Sequence, residues 1–256
     1  MASDPRDRKG ALYHIGLKKS DAGRIALLPG DPDRVPRLAE RLEKARELAS
    51  HREFRSYSGY VGKERVVVMS TGIGGPSTAI CVEELARLGV KVMVRVGTCG
   101  AIRPDIPIGS LVIAEAAVRM EGTSHQYVPE GYPAAASPEV TLALKEEARA
   151  LGVSSFLGIA ASTDSFYTGQ GRKSYGGYFP SDKTSLIDDL RSANVLAFEM
   201  ESAALFTLTR VFGIKSGAVF AVVANRSTDE FRSGAGEDEA VSVAVGAVRR
   251  FSAFGV

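Results

Sequence analysis

The chain alternates short, continuous apolar runs with amphipathic stretches. Residues 24–29 (RIALLP) form one such run and stop at Gly30. Residues 66–69, 91–96, 111–114, 157–161 and 218–223 repeat it, and most of them end in a turn rich in Gly, Ser, Thr or Asn. Runs without a polar alternate suit strands of a sheet covered on both faces. Between them the period changes. Residues 77–88 put Cys81, Leu85 and Leu88 on one helical face, with Gly89 as the stop. A helix is predicted over 138–151, with Ser137 as its cap and Pro138 in its first turn. Another covers 201–212 and ends at Gly213, and Val241, Ala244, Val245 and Val248 mark a last one. This alternation predicts an α/β fold: a single domain over 1–256 with a central mixed, largely parallel β-sheet flanked by helices. About ten N-terminal residues, charged and aperiodic around Pro5, are expected to form a mobile arm.

Composition narrows the function classes. A length of 256 residues is near the upper limit for one core, and 45% hydrophobic with 24% charged residues excludes disorder and collagen. The net charge of +2 gives no global drive toward nucleic acid or an anionic membrane. Anion binding must therefore rest on a few placed arginines. Cys81 and Cys99 make no disulfide framework and suit a reducing compartment. The chain lacks a membrane-length apolar run, and its first residues do not read as a secretory signal. A cytoplasmic protein is the expectation.

In open α/β sheets, ligands bind beyond the carboxyl ends of the strands. The turns at 30–34, 71–75, 97–100 and 225–226 are therefore expected to converge. The stretch 72–76 (GIGGP) fails as a dinucleotide fingerprint, because residue 77 is Ser and residues 91–97 hold no acid. It reads as a tight helix–sheet turn or as a cradle for a small anion. Arg34 and Arg52, taken singly, read as surface charges. Arg95 lies inside an apolar strand and needs a partner, either a bound phosphate or an internal carboxylate. Glu199 and Glu201 suit a helix N-terminus, and a carboxylate there can also accept from a sugar diol. Phe166, Gln170 and Arg172 offer an aromatic face, an amide and a guanidinium for a planar heterocycle, or simply an aromatic loop. His14, His51 and His125 lack metal-site spacing, and there is no G-x-S-x-G elbow.

Taken together, several of these motifs carry a family likeness. The stretches 30–34 (GDPDR), 49–54 (ASHREF), 70–77 (STGIGGPS), 95–98 (RVGT), 198–202 (FEMES) and 223–226 (VANR) resemble those of the bacterial uridine phosphorylases, in the same order. These belong to the hexameric nucleoside phosphorylase superfamily, and the likeness runs from about Tyr13 to the C-terminus. It implies a nucleoside phosphorylase-like fold and a phosphate site of Gly30, Arg34, Arg95 and Thr98, joined by Arg52 of a neighbouring subunit. It implies that Met200 and Glu201 hold the ribose, with a neighbour's His14 near its 5′ end, and that Phe166, Gln170 and Arg172 hold the pyrimidine. Arg95, Thr98, Gln170, Arg172 and Glu201 are the implied catalytic set. Glu53, Ile73 and Ser77 match positions that bind a monovalent cation such as K+ between subunits in some relatives; no other cofactor is implied, and phosphate is a co-substrate. The implied partners are uridine, phosphate and further copies of the chain, as three dimers in a hexamer, without nucleic acid or membrane. Cys99 stands where a Thr is expected, and residues 173–182 depart from the family pattern. Purine-acting relatives commonly carry an Asp near Asn225, so the Asn favours pyrimidines. The alternatives are a purine nucleoside phosphorylase or nucleosidase on the same fold, and a non-catalytic nucleoside-binding protein.

Overall fold

The computed structural model describes residues 5–8 and 10–251. In chain order it runs β1 (Ile25–Leu28), α1 (Arg34–Ala39), β2 (Glu43–His51), β3 (Phe54–Val61), β4 (Glu64–Met69), α2 (Gly75–Leu88), β5 (Val92–Ala101) and β6 (Leu111–Met120). It continues through β7 (Ala134–Ala135), α3 (Pro138–Ala150), β8 (Ser155–Thr163), α4 (Leu186–Ser192), β9 (Val195–Glu199), α5 (Ser202–Val211), β10 (Lys215–Asn225), β11 (Glu230–Phe231) and α6 (Glu237–Arg250). Part of the expected N-terminal arm lies outside the described residues. Within them, Arg6 bridges Leu12 across a turn.

The strands form one mixed sheet. β4, β1, β5 and β10 run parallel, as do β6, β8 and β9. The antiparallel pairs β10–β6 and β5–β9 join these two sets. The strands β5, β10, β6, β8 and β9 therefore close into a ring, and β1, β4, β3 and β2 extend outward from it. Because successive strand side chains point to opposite faces, β1 and β4 feed two cores. Ala26, Leu28, Val67 and Met69 pack on the α2 and α5 side with Cys81, Leu85 and Phe206. Ile25, Leu27, Val66 and Val68 pack on the other side with Leu38, Leu144, Val243 and Val248 of α1, α3 and α6. Leu85 is fully buried, and its replacement by Ala is expected to cost ~2–5 kcal/mol.

The helix signals hold with one change. Gly89 closes α2 in the left-handed region at φ 98°. Ser137 stands at the cap position of α3, but its hydroxyl does not cap the helix; it accepts the Ser216 N–H at 3.0 Å instead. No helix among the described residues is long and apolar enough to cross a membrane.

Candidate active site

The strand-end turns do converge. A cavity of about 650 Å³ is lined by Gly30, Asp31 and Arg34 after β1, by Gly72, Ile73 and Ser77 after β4, and by Arg95, Thr98, Cys99 and Gly100 of β5. Met200 and Glu201 enter between β9 and α5, Phe166, Gln170 and Arg172 after β8, and Glu53 from the β2–β3 turn.

Arg95 forms the floor and is 5% exposed. Its Nη1 donates to Thr71 Oγ1 at 2.6 Å, and its Nη2 donates to Glu201 Oε2 at 2.7 Å. The internal-carboxylate alternative for Arg95 is thus realised. Its buried Nε makes no hydrogen bond among the described residues, so one donor remains for a further acceptor. A Cβ on Gly30 would lie 2.8 Å from Arg95 Nη2, so the absence of a side chain lets backbone and guanidinium meet. The second oxygen of Glu201 accepts the Gly74 N–H at 2.6 Å. The amide offered by the GIGGP turn is therefore taken by this chain's own carboxylate. The turn is also tight: Gly72 has φ 70°, and a Cβ there would meet Ser77 Oγ at 2.7 Å.

The two acids of 198–202 divide their tasks. Glu199 Oε2 accepts the backbone N–H groups of Glu201 and Ser202, each at 2.8 Å, which fixes the start of α5. Glu199 Oε1 accepts from the Ser162 hydroxyl, whose oxygen accepts the Ala203 N–H at 2.8 Å. Burial, and then the charge of Glu201, push the Glu199 carboxyl above the usual carboxylate range. Cys99 is also buried against the cavity. Burial and then Glu199 push its thiol upward, so it stays protonated and is a poor nucleophile.

At the opposite end, Gln170 is held by two side chains. Its Nε2 donates to Thr163 Oγ1 at 3.2 Å, and its Oε1 accepts from Arg172 Nη1 at 2.7 Å. Arg172 also donates to the Phe166 carbonyl at 2.7 Å and lies 4.0 Å over the Phe166 ring centroid. Burial, and then the nearby charge of Arg226, bring the Arg172 pKa down to about 10. Arg226 donates to the Gly171 carbonyl at 3.4 Å, and its Nη1 is buried without a partner among the described residues. Two crowded guanidiniums here call for an acceptor.

Some expected residues stand elsewhere. Arg34 lines the cavity, and its Nη2 donates to Glu237 Oε1 at 2.8 Å. His14 lines an adjoining groove of about 910 Å³ that shares Ile73 and Met200 with the cavity. Arg52, at φ 57° in the β2–β3 turn, lines neither; its guanidinium lies 5.8 Å from the Tyr13 ring centroid. The Tyr13 ring meets that of His14 edge-on at 5.0 Å, so His14 and Arg52 form one cluster around Tyr13. Ser77 Oγ donates to Glu53 Oε1 at 3.0 Å beside the exposed Ile73, bringing that trio together at the cavity mouth. Asn225 does not face the cavity. Its Nδ2 donates to the Arg103 and Ile106 carbonyls, and its Oδ1 accepts the Ser227 and Thr228 N–H groups. The argument from Asn225 for pyrimidines therefore loses its geometric footing. Residues 173–182 fold as two 3₁₀ turns, Tyr175–Gly177 and Ser181–Lys183, with Tyr175 fully exposed. Thr71, Glu199 and Arg226, which the sequence places in the converging turns and the helix start without a defined partner, complete the site by bonding to Arg95, holding the Glu201 N–H and standing beside Arg172.

Comparison with known proteins agrees with this geometry. Residues 24–254 match the phosphorylase superfamily. The chain belongs to this family. It is 55% identical over 248 residues to a uridine phosphorylase of Thermococcus kodakarensis, spanning 97% of this chain and 89% of the relative. It is 40% identical over 249 residues to the uridine phosphorylase of Escherichia coli, spanning 94% and 98%. It is 34% identical over 226 residues to a guanosine phosphorylase of Halorubrum lacusprofundi, spanning 88% of each chain. As a phosphorylase superfamily member, the chain carries its cavity where strand ends of the matched region meet.

Proposed function

We propose that the protein is a uridine phosphorylase that reversibly converts uridine and phosphate to uracil and ribose 1-phosphate in pyrimidine salvage. Deoxyuridine and thymidine are candidate further substrates. The observation that carries this reading is the polarity of the cavity. A buried Arg95 whose Nε has no partner among the described residues forms one end, and the Gln170–Arg172 unit beside a second guanidinium forms the other. The names of the relatives point the same way.

In this reading Gly30, Arg34, Arg95, Thr98 and a neighbour's Arg52 hold the phosphate. Fixing it against the anomeric carbon is worth ~7–11 kcal/mol in well-oriented cases. Glu201 and Met200 hold the ribose. Glu201 keeps two donors, Gly74 N–H and Arg95, so the diol shares its oxygens with the phosphate-binding arginine. Phe166 stacks on the pyrimidine. Gln170 pairs with a carbonyl and N–H of uracil, and Arg172 donates to a carbonyl oxygen. As the glycosidic bond breaks, negative charge grows on the leaving base, and donors aimed there strengthen in the transition state.

The assembly is proposed as a hexamer of three dimers. Its support is that His14 and Arg52 stand outside their own cavity, beside a groove bordered by the exposed Ile73. Mixing inactive Arg52→Ala with inactive Glu201→Ala subunits is expected to restore activity through hybrid sites. Glu53, with Ser77 and Ile73, suits a hard monovalent cation: a carboxylate and a hydroxyl oxygen already lie 3.0 Å apart. A cytoplasmic location is proposed from the two unpaired, buried cysteines.

A purine reading is favoured by one observation, the relative named as a guanosine phosphorylase. One experiment separates the readings: incubate with uridine, inosine, adenosine or guanosine, with and without phosphate, and identify the products. Uracil and ribose 1-phosphate formed only with phosphate support the proposal. Free ribose indicates a nucleosidase, faster purine cleavage indicates the purine reading, and binding without turnover indicates a nucleoside-binding protein.

A further inference from the structure

Glu84 lies in the middle of α2 and is 6% exposed, yet the cavity chemistry does not use it. A carboxylate so deeply placed needs donors. Its donors come from one short segment 70 positions away. The Ile15 N–H reaches Oε2 at 3.0 Å, and the His14 N–H lies 3.4 and 3.3 Å from Oε1 and Oε2. The His14 ring completes the set, with Nδ1 at 2.7 Å from Oε1. An ionised carboxylate only accepts hydrogen bonds. With Glu84 as the acceptor, the 2.7 Å contact calls for the proton on His14 Nδ1, and in that neutral ring Nε2 carries the lone pair. Nε2 makes no hydrogen bond among the described residues, and His14 borders the groove that adjoins the cavity.

We propose that Glu84 is a positioning residue: it anchors His14 and fixes the Nδ1-protonated ring, leaving Nε2 as an acceptor for a hydroxyl at the ribose 5′ end. The last part rests on the reading of His14 as a ribose-end ligand. The first part does not, because it concerns the resting protein. Three features favour a dedicated clamp over a generic buried acid. The carboxylate grips backbone and ring of the same residue. The neighbouring Tyr13 ring braces the imidazole edge-on at 5.0 Å. The carbonyl of His14 lies 2.9 Å from His51 Nδ1, so His14 is fixed on the side of the β2–β3 turn as well.

Two measurements test this. The first is the tautomer of His14 in histidine-labelled, ligand-free protein, read from ring nitrogen shifts well above the ordinary histidine pKa and assigned with His14→Asn. The Nδ1-protonated form is expected in the wild type and a tautomer mixture in Glu84→Gln. An Nε2-protonated wild-type ring overturns the proposal without any appeal to activity. The second compares kcat/KM for uridine and 5′-deoxyuridine. Glu84→Gln is expected to lower the uridine value about tenfold, the scale of a charge-assisted contact, and to leave 5′-deoxyuridine within about twofold. The double variant Glu84→Gln/His14→Asn should then match His14→Asn alone. Equal losses on both substrates in Glu84→Gln, with His14→Asn still selective for uridine, overturn the proposal and assign Glu84 a structural role. Equal losses in His14→Asn itself overturn the ribose-end reading of His14, and with it the acceptor role proposed here.

Discussion

The two ends of the cavity are built differently. The Arg95 end is made from strand termini and a helix start. Arg95, Thr71, Glu201 and Glu199 are all buried and lock one another through short hydrogen bonds. The Phe166 end is a loop after β8. There Phe166 is half exposed, and Arg172 is held mainly by its own loop, through the Phe166 carbonyl and Gln170. A framework of strand ends changes only if the sheet changes, whereas a self-bonded loop can be rebuilt without disturbing the fold. Under the proposed function, the framework end holds the phosphate and ribose, and the loop end carries the choice of base as well as the donors to the leaving group.

The strongest way to break that division is at the loop. Uridine is expected to exceed cytidine by at least ~1,000-fold in kcat/KM, since a buried donor facing the cytosine amino group is left unpaired. Gln170→Ala is predicted to reduce this ratio to below about tenfold while the KM for phosphate stays put. A ratio unchanged in Gln170→Ala would detach base choice from the loop. The next test is at the floor. Arg95→Ala is predicted to lower kcat/KM for phosphate by at least ~100-fold and to leave the uridine-to-cytidine ratio intact. Near-normal phosphate kinetics in a folded Arg95→Ala protein would remove Arg95 from the phosphate site. Phe166→Leu removes only an aromatic face, and a loss of about three- to tenfold in kcat/KM for uridine is expected, the scale of one aromatic contact.

The smallest effect sharpens the contrast through stability. The Glu199 carboxyl titrates above its unfolded value, so between the two pKa values the folded protein holds more protons than the unfolded one. Stability from this group is then present at low pH and is lost as pH rises through the folded pKa. Glu199→Gln lacks that titration. Its melting temperature relative to wild type is expected to improve on going from acidic to mildly alkaline buffer. A constant difference across pH would mean that the folded state does not raise the Glu199 carboxyl above its unfolded value.

The sequence was legible where local pattern and burial coincide. β1, β4 and β10 read as apolar runs because both their faces are covered. β2 carries Glu43, Lys44, Arg46 and Glu47 and is largely exposed, so it lacks the apolar signature of a strand; its pairing with β3 holds it in place. α1 and α4 are too short for a period to emerge. At the site, single motifs reveal Arg95 and Glu201 but not that they bond to each other, since 106 positions separate them. Arg226 is legible as part of a converging turn but not as the neighbour of Arg172, for the same reason, and Asn225 misleads because its side chain turns to backbone carbonyls. The cluster of His14, Arg52 and Tyr13 follows from tertiary packing alone.

The closed ring of strands has a seam. β5 and β10 pair along their whole length, from Lys215 opposite Val92 to Asn225 opposite Ala101. β5 and β9 meet only at Gly100 opposite Phe198 and Ala101 opposite Ala197, with one further bond from Ile102 N–H to the Leu196 carbonyl. A ring opens first where fewest bonds must break together. Amide protons at this seam will therefore exchange with solvent through a partial opening, below the free energy of global unfolding. The seam runs into the residues that carry Glu199 and Glu201, so a ligand bridging Arg95 and Glu201 also stitches the ring shut. Its binding will be read out as slowed exchange at the Ile102 amide, which donates across the seam to Leu196.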